Sequence, residues 1–345
     1  MAGTIRDMRA RALTIICCAV AVYMAAAPDA FASAVTVSGG SRLNVSSSGS
    51  ERNDFAISFD GGAAVYRVHD AAGIDPNGPC TALDPETASC PATGIGSITV
   101  NAGGGSDQAG LDPATIPVTV EADLNGGTGN DRLFGSGAAD ALDGDSGNDI
   151  LDGGPGADDL RGGSGADVLS YTGRTEALIV TIGSGEDDDG GPLDQTASRR
   201  DTVRGDIEQV LGGGGPDTFF GDGSDDTLVG GGGNDRLFGL RGRDFLDGGL
   251  NFDHLSGGRG EDRLLGGPHS DGLFGGPQAD VLSGGGGNDR LVGKKGPDAM
   301  NGKRGIDRIN ARDGARDRKI SCGSGDNRYE GAQVDKRLDP RRRSC

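Results

Sequence analysis

Apolar and polar residues repeat along this chain with a period of nine, which is not the period of a helix. From Asp217 onward an Asp recurs at every ninth position, and an apolar side chain follows each Asp two residues later. Most repeats also hold two or three glycines, each of which would cost a helix interior about 1 kcal/mol. The pattern excludes a helix and predicts short strands, each with one inward apolar residue, joined by Gly-rich turns.

Two blocks of the chain, 126–170 and 212–310, share this period. The Asp position is occupied by Asp131, Asp140, Asp149, Asp158, Asp167, Asp217, Asp226, Asp235, Asp244, Asp253, Asp262, Asp271, Asp280, Asp289, Asp298 and Asp307. The apolar residues that follow are Leu133, Leu142, Leu151, Leu160, Leu169, Phe219, Leu228, Leu237, Leu246, Leu255, Leu264, Leu273, Leu282, Leu291, Met300 and Ile309. One repeat would form half a coil, so that two repeats complete a turn stacked about 4.8 Å from the next.

The consensus GGxGxDxUx, where U is apolar, resembles the calcium-binding nonapeptide of the RTX (haemolysin-type) repeat family. The resemblance covers both blocks and weakens after Ala311, where the spacing slips by one residue. It implies an all-β fold in which the repeats form a parallel β-roll, a right-handed β-solenoid. It also implies that several Ca²⁺ ions are held between stacked turns by the sixteen Asp carboxylates and by the carbonyls of the Gly-rich turns.

Electrostatics independently favours a bound cation. Stacking sets each Asp beside the Asp two repeats away, and two carboxylates about 5 Å apart repel by about 1 to 3 kcal/mol. Ca²⁺ suits such turns because it accepts six or more oxygens in irregular shells, whereas Mg²⁺ keeps its waters and Zn²⁺ prefers His or Cys. The alternative is that the Asp residues are solvated turn formers that hold no metal.

Residues 1–34 have the pattern of an export signal. Three Arg lie within residues 6–11, and an apolar run follows over 12–27. Either Ala30-Phe31-Ala32 or Ala32-Ser33-Ala34 then forms a small-x-small cleavage site, with cleavage near Ala32 to Ala34. The apolar run is short for a membrane span, and no longer one follows it. Cys17 and Cys18 lack the preceding small residue of a lipoprotein site, so we expect a secreted, extracellular chain.

Residues 35–125 show strand-like alternation without the nonapeptide, and we expect either a small β domain or irregular turns that cap the roll. Cys80 and Cys90 bracket a Pro-rich loop in this region. Thiols of an exported protein at such spacing pair more often than they bind metal, so these two should form a disulfide. Cys322 and Cys345 remain as a second pair.

The period breaks over 171–211, an excursion between the two blocks. We expect a strand at Leu178–Ile182, an exposed acidic loop at Glu186–Asp189, and a strand at Asp206–Val210 that leads back into the repeats. Asp187–Asp189 could hold a further cation, although a flexible, solvated loop is the favoured interpretation.

Some turns depart from the consensus. The fourth position should need positive φ, so turns that lose its glycine should be weaker. Lys294-Lys295 and Lys303-Arg304 replace the second and third turn residues, and we expect them partly to replace calcium near Asp298 and Asp307. The lost fourth-position glycines are at Ala138, Ser224, Asn251, His269 and Gln278.

Composition and charge narrow the possible partners. With 67 Gly, 4% aromatic residues and a net charge of −19, the chain has the composition of a repeat protein and disfavours nucleic acid. From Arg290 to the end, sixteen Lys and Arg face eight Asp and Glu. We expect 311–345 to be a basic cap on the roll, with contact to an anionic surface as the alternative.

Motifs for catalysis are missing from the sequence. There is no His-Glu-x-x-His and no Gly-x-Ser-x-Gly, and the histidines are His69, His254 and His269. We predict a non-enzymatic, calcium-binding structural protein. The alternative is a calcium-dependent adhesin for a glycan, matrix or cell-surface partner; an ice binder is disfavoured because the turns carry no threonine row.

Overall fold

The computed structural model describes residues 33–38, 41–47, 49–183, 189–192, 200–312, 317–325 and 328–331, all within one compact unit, Phe31–Cys345. In these ranges the chain forms strands and turns. None of the described residues belongs to a helix long and apolar enough to cross a membrane. The expected export signal lies outside the described residues, apart from its last two positions.

One sheet, here called the long sheet, extends from the first part of the described chain to the last. Most of its strands are three to six residues long because a single xUx segment separates consecutive Gly-rich turns. In spatial order it contains β6 (Thr81–Asp84), β7 (Thr87–Pro91), β4 (Val65–Asp70), β3 (Asp54–Asp60), β9 (Gln108–Leu111), β11 (Arg132–Phe134), β13 (Ile150–Asp152), β15 (Val168–Ser170), β18 (Gln209–Leu211), β20 (Thr227–Gly232), β22 (Phe245–Leu250), β24 (Arg263–Gly267), β26 (Val281–Gly286), β28 (Ala299–Arg304) and β30 (Lys319–Ser321).

The other side of the roll is divided between two sheets. The N-terminal sheet contains, in spatial order, β5 (Ile74–Pro76), β1 (Ser33–Ser38), β2 (Arg42–Ser46), β8 (Ser97–Asn101), β10 (Glu121–Thr128), β12 (Ala141–Ser146), β14 (Asp159–Arg161) and β17 (Thr202–Val203). The C-terminal sheet contains β16 (Ile179–Thr181), β19 (Thr218–Phe220), β21 (Arg236–Arg241), β23 (His254–Arg259), β25 (Gly272–Pro277), β27 (Arg290–Lys295), β29 (Arg308–Ala311) and β31 (Arg328–Gly331).

Parallel pairing at an offset of eighteen residues builds the core. Leu228 pairs with Leu246 in the long sheet, and Leu237 pairs with Leu255 in the C-terminal sheet. The apolar residue of each repeat therefore stacks on that of the repeat two positions on, and all of them are buried in one hydrophobic cluster. These findings confirm the all-β fold, the parallel β-roll and the assignment of half a coil to each repeat.

The strands of 33–111 join the same sheets as the repeats. β2 pairs in parallel with β8, which pairs with β10, and β3 pairs in parallel with β9. Beyond β3 the long sheet continues as the antiparallel strands β4, β7 and β6. Cys80 and Cys90 form the expected disulfide beside this edge. Cys322 is also disulfide-bonded, and its expected partner, Cys345, lies outside the described residues.

The excursion departs from expectation in two places. Asp189 was expected in an exposed loop but is buried, because its carboxylate accepts hydrogen bonds from the backbone N–H groups of Thr181 (2.5 Å) and Val203 (3.2 Å). The strand expected from Asp206 begins only at Gln209, because Asp206 lies in a turn. The strand expected at 178–182 is present as β16. The rest of the acidic loop, 186–188, lies outside the described residues.

Candidate metal centre

All sixteen predicted Asp residues are buried, each where a turn enters a strand. The strand pairing divides them into two columns, one on each edge of the roll, because successive repeats enter opposite sheets. The column that enters the long sheet is Asp131, Asp149, Asp167, Asp226, Asp244, Asp262, Asp280 and Asp298. The column that enters the two facing sheets is Asp140, Asp158, Asp217, Asp235, Asp253, Asp271, Asp289 and Asp307.

In every column Asp except Asp226, one carboxylate oxygen links adjacent coils. Asp235 Oδ1 accepts a hydrogen bond from the backbone N–H of Asp217 at 2.7 Å, and Asp253 Oδ1 accepts one from Asp235 at 2.9 Å. Nine such bonds, at 2.7 to 3.0 Å, run through the second block. An Asp every eighteen residues therefore fixes the register of one coil on the next, which Glu would do less well because its carboxylate lies one methylene farther out.

The second oxygen has a different environment. In many repeats Oδ2 is fully buried and accepts no hydrogen bond, although buried polar atoms are normally paired. The residues that share this feature are Asp107, Asp131, Asp149, Asp167, Asp235, Asp244, Asp253, Asp262, Asp271, Asp280 and Asp289. Each of these oxygens is thus available to a cation.

The Oδ2 atoms point at the first glycine of their own turns. A Cβ added at Gly230 would lie 2.3 Å from Asp235 Oδ2 and 2.7 Å from the carbonyl oxygen of Gly248, one coil away. The same combination of a carboxylate and a carbonyl from the next coil surrounds Gly126, Gly144, Gly239 and Gly266. Glycine is needed here for space, because two acceptor oxygens already face the position that a side chain would take.

Burial and neighbouring negative charges raise the pKa of Asp carboxyl groups in the two columns. Burial, followed by the neighbouring Asp253 charge, raises the pKa of Asp235 to about 7. Burial, followed by the charges of Asp262, Asp298 and Glu261, raises the pKa of Asp280 to about 8. At neutral pH the columns therefore hold carboxylates that are costly to ionise without a counter-ion.

The donor set fits calcium. It consists of carboxylate and carbonyl oxygens, which are hard ligands that Ca²⁺ prefers. Among the described residues no three His, Cys, Asp or Glu side chains converge on one point, so backbone carbonyls must complete any shell. Asp235 and the Gly248 carbonyl, which face the same point, are examples of residues that would hold the ion. Bound there, calcium would supply the positive charge that offsets ionised carboxylates.

The columns also contain residues that the nine-residue count missed. Asp107 accepts a hydrogen bond from Asn53 N–H at 2.6 Å and donates its own N–H to Asp131 Oδ1. Asp201 and Glu208 continue the two columns through the excursion, since they accept hydrogen bonds from Asp158 N–H and Asp167 N–H. The glycine run Gly103–Gly105 before Asp107 resembles a consensus turn and could have identified this residue from the sequence. No such glycine run precedes Asp201 or Glu208, so the sequence offers no comparable signal for them.

Turn conformation follows the sequence only partly. Among the residues that replace the fourth glycine, Asn251 and Gln278 have positive φ (79° and 85°), as expected. Ala138, Ser224 and His269 do not, so their turns take another conformation and avoid the strain. In most turns the second position also has positive φ, even at Leu240, Lys294 and Lys303 (68° to 69°), although not at Ser136 or Asp222.

Comparison with protein families agrees with this geometry. The model of the RTX calcium-binding nonapeptide repeat matches residues 123–151, 134–169, 211–246, 238–268, 247–282 and 265–300. A search of curated proteins gives no match. The matched segments contain fifteen of the sixteen buried Asp residues that are stacked in the two columns, and Asp307 alone lies beyond them. Residues 123–169 and 211–300 of this chain are RTX calcium-binding nonapeptide repeats.

Proposed function

We propose that this chain is an exported calcium-binding protein whose folding is coupled to the calcium concentration outside the cell. The observation that carries the proposal is the row of buried Oδ2 atoms without a hydrogen-bond donor, repeated along both edges of the roll. Each of these oxygens is a buried acceptor without a donor, and a bound cation would supply its missing partner. The proposal assigns the chain no catalytic role.

Coupling to folding follows from the position of the acceptors. The oxygens around Gly230 come from two coils, Asp235 of one and Gly248 of the next, so they come together only when the coils stack. A ligand that binds the folded state alone stabilises it by mass action. Calcium binding and β-roll formation should therefore occur together.

A calcium titration monitored by circular dichroism tests the proposal. We expect the protein to lose most strand signal in chelator and to regain it cooperatively, with a midpoint on the order of 10⁻⁴ to 10⁻³ M, as for extracellular calcium modules. Magnesium at the same concentrations is the control and should restore little. A strand signal that is identical in chelator and in calcium would refute the coupling.

Export rests on the signal-like sequence of residues 1–34. Of the two expected cleavage points, cleavage after Ala32 agrees better with the fold, because Ser33 is buried and donates a hydrogen bond to Asp70 Oδ2 at 2.5 Å. Cleavage after Ala34 would remove that contact and the first two residues of β1. Mass spectrometry of the protein recovered from the culture medium should find Ser33 as the first residue; retention of the intact chain inside cells would argue against export.

A further inference from the structure

The outer face of the C-terminal sheet differs in charge from the rest of the molecule. From β16 to β29 its strands contain no Asp or Glu, but they carry seven Lys and Arg. In the N-terminal sheet, by contrast, β10, β12 and β14 together carry five acidic residues and one Arg. A basic surface on a chain of net charge −19 is a local feature that needs its own explanation.

Aromatic side chains are concentrated on the same face. Besides the buried Phe219, four of the ten Phe and two of the three His lie on its strands or on the turns that enter it. The rings of Phe220 and Phe238 stack with centroids 4.9 Å apart, and His254 continues the row with centroids 6.1 Å from Phe238 and 4.9 Å from Phe274. The row runs along the roll axis, across strands rather than along one.

Cations flank the aromatic row. The Arg290 guanidinium lies 5.5 Å from the centre of the Phe274 ring, and the Lys294 ammonium lies 5.9 Å from it. Arg236, Arg290 and Arg308 are exposed and form no ion pair with any described residue. Their charges are therefore available to an external partner.

A recess opens beside the row. It has a volume of about 310 Å³ and is lined by Arg236, Phe238, Phe252 and His254, among others. Phe252 is 59% exposed although it is a large apolar side chain, and its ring lies 5.9 Å from that of His269. An exposed aromatic group beside a polar recess is typical of a recognition surface.

We propose that the outer face of β19 to β29, here called the aromatic-basic face, binds a linear acidic polysaccharide. Apolar faces of sugar rings would pack on the Phe rings, while Arg236, Arg290 and Arg308 would pair with carboxylates or sulfates of the chain. Six strands spaced about 4.8 Å apart give the face a length of about 24 Å, enough for several sugar rings. The face needs the folded roll, so this inference rests on the calcium-dependent fold.

Two other partners are compared with the polysaccharide. A single-stranded nucleic acid would use the same stacking and cations, and the acidic remainder of the chain would repel any polyanion alike, so the comparison ligands of the test below distinguish the two. A second copy of this chain could present its acidic N-terminal sheet, but β10, β12 and β14 offer no aromatic or apolar outer residues beyond Ala141 to match the Phe row.

Binding of the full mature chain to heparin and to a galacturonate oligomer too short to gel, measured by titration calorimetry in saturating calcium, tests the proposal. Neutral dextran and single-stranded DNA serve as comparison ligands, and circular dichroism first establishes that each protein is folded. We expect the acidic polysaccharides to bind and dextran to bind at least about tenfold more weakly, because it offers no charge to the arginines.

Matched variants distinguish binding at the aromatic-basic face from non-specific attraction to positive charge. Replacing Arg236, Arg290 and Arg308 together by Gln should weaken binding by about ten- to a hundredfold, at roughly two- to fivefold for each exposed pair. Replacing Arg132, Arg263 and Lys319 of the long sheet by Gln removes the same charge and should change binding less than about twofold. Phe274→Ser should weaken binding, whereas Phe245→Ser on the long sheet should not.

Four outcomes would overturn the proposal. Absence of binding by folded protein is one, and equal loss in both triple variants, which would indicate non-specific attraction, is another. Tighter binding of single-stranded DNA than of either polysaccharide would assign the face to nucleic acid. Light scattering that shows self-association abolished by the Arg236, Arg290 and Arg308 variant, without polysaccharide binding, would assign it to a second copy. Failure of the strand signal to respond to calcium would instead count against the proposed function.

Discussion

Most Asp residues of the two columns have two roles, one for each carboxylate oxygen. In Asp140, Asp217 and Asp226 the second oxygen instead accepts a hydrogen bond within its own turn. In Asp235, Oδ1 accepts a hydrogen bond from the preceding coil, while Oδ2 is buried without a donor beside the Gly248 carbonyl. The hydrogen bond between coils needs only an acceptor. Calcium binding needs negative charge, so substitution by Asn can separate the two roles.

Asp235→Asn should therefore have effects of opposite sign in the absence and presence of calcium. Asn keeps an acceptor for Asp217 N–H, and its NH₂ group can donate toward the Gly248 carbonyl, which removes the unpaired oxygen. We expect more strand signal to remain in chelator than in the wild type, but a smaller stabilisation by calcium and a higher calcium midpoint. Asp123→Asn, at an exposed position of β10, is the control. If both variants respond to calcium like the wild type, Asp235 is not a ligand.

Acidification should stabilise the calcium-free roll. The pKa of Asp235 is raised from the ordinary 3.8 to about 7 in the folded state, so the folded state binds more protons than the unfolded state between these values. Its contribution to stability is then complete below about pH 4 and is lost as the pH rises through about 7. Circular dichroism in chelator should show more strand signal at pH 5 than at pH 8. In saturating calcium the difference should shrink or reverse, because protons compete with the metal for the carboxylates. The same strand signal at both pH values in chelator would contradict this.

At the scale of the element, a turn is limited by space as much as by backbone conformation. Gly230 does not have positive φ, yet a Cβ there would meet Asp235 Oδ2 and the Gly248 carbonyl. Gly223, at the third position of another turn, has no atom within 4 Å of its Cβ position. The consensus glycines are thus needed for different reasons, and some are not needed at all.

Gly230→Ala should destabilise the roll by about 1 to 3 kcal/mol or more, as for other overpacked sites, and should weaken calcium binding because the methyl group displaces the acceptors. Gly223→Ala should be neutral or stabilise slightly, since it reduces the freedom of the unfolded chain. Denaturant unfolding in saturating calcium measures both. A Gly223→Ala variant as unstable as Gly230→Ala would show that the loss comes from the alanine itself and not from the crowded site.

The roll itself could be predicted because its period is carried by every repeat: the Leu and Asp positions, and with them the half-coil per repeat, follow directly from the sequence. The switch from the N-terminal to the C-terminal sheet could not, since it occurs where the period is broken and where Asp201 and Glu208 join the columns without a consensus turn. Positive φ at Leu240 and Lys294 was also not predictable, because tertiary pairing overrides their local preference.

At the scale of the molecule, the side on which a residue lies depends on the number of repeats that precede it. Removal of one coil, residues 236–253, should leave every downstream strand on its original sheet. Removal of one nonapeptide, residues 236–244, should exchange the long sheet and the C-terminal sheet downstream, because strands alternate between them.

Engineered disulfides can detect this exchange. Thr218 normally pairs with Arg236, so it should face His254 after the eighteen-residue deletion and Phe245 after the nine-residue deletion. Cysteines at 218 and 254 should then cross-link in the longer deletion and not in the shorter one. Residue 245 is present only in the shorter deletion, where cysteines at 218 and 245 should cross-link. Cross-linking of 218 and 254 in both deletions would show that the chain does not alternate strictly.

The long sheet has a mechanical consequence. Its parallel strands are hydrogen-bonded along the roll axis, and each coil contacts only its neighbours, so tension applied between the ends of the chain would peel coils away one after another. A detached coil of eighteen residues releases about 60 Å of extended chain. The protein would therefore lengthen under load in equal steps, and each step would give up the calcium held at its coil, so that the ion concentration would set the force at which the roll yields.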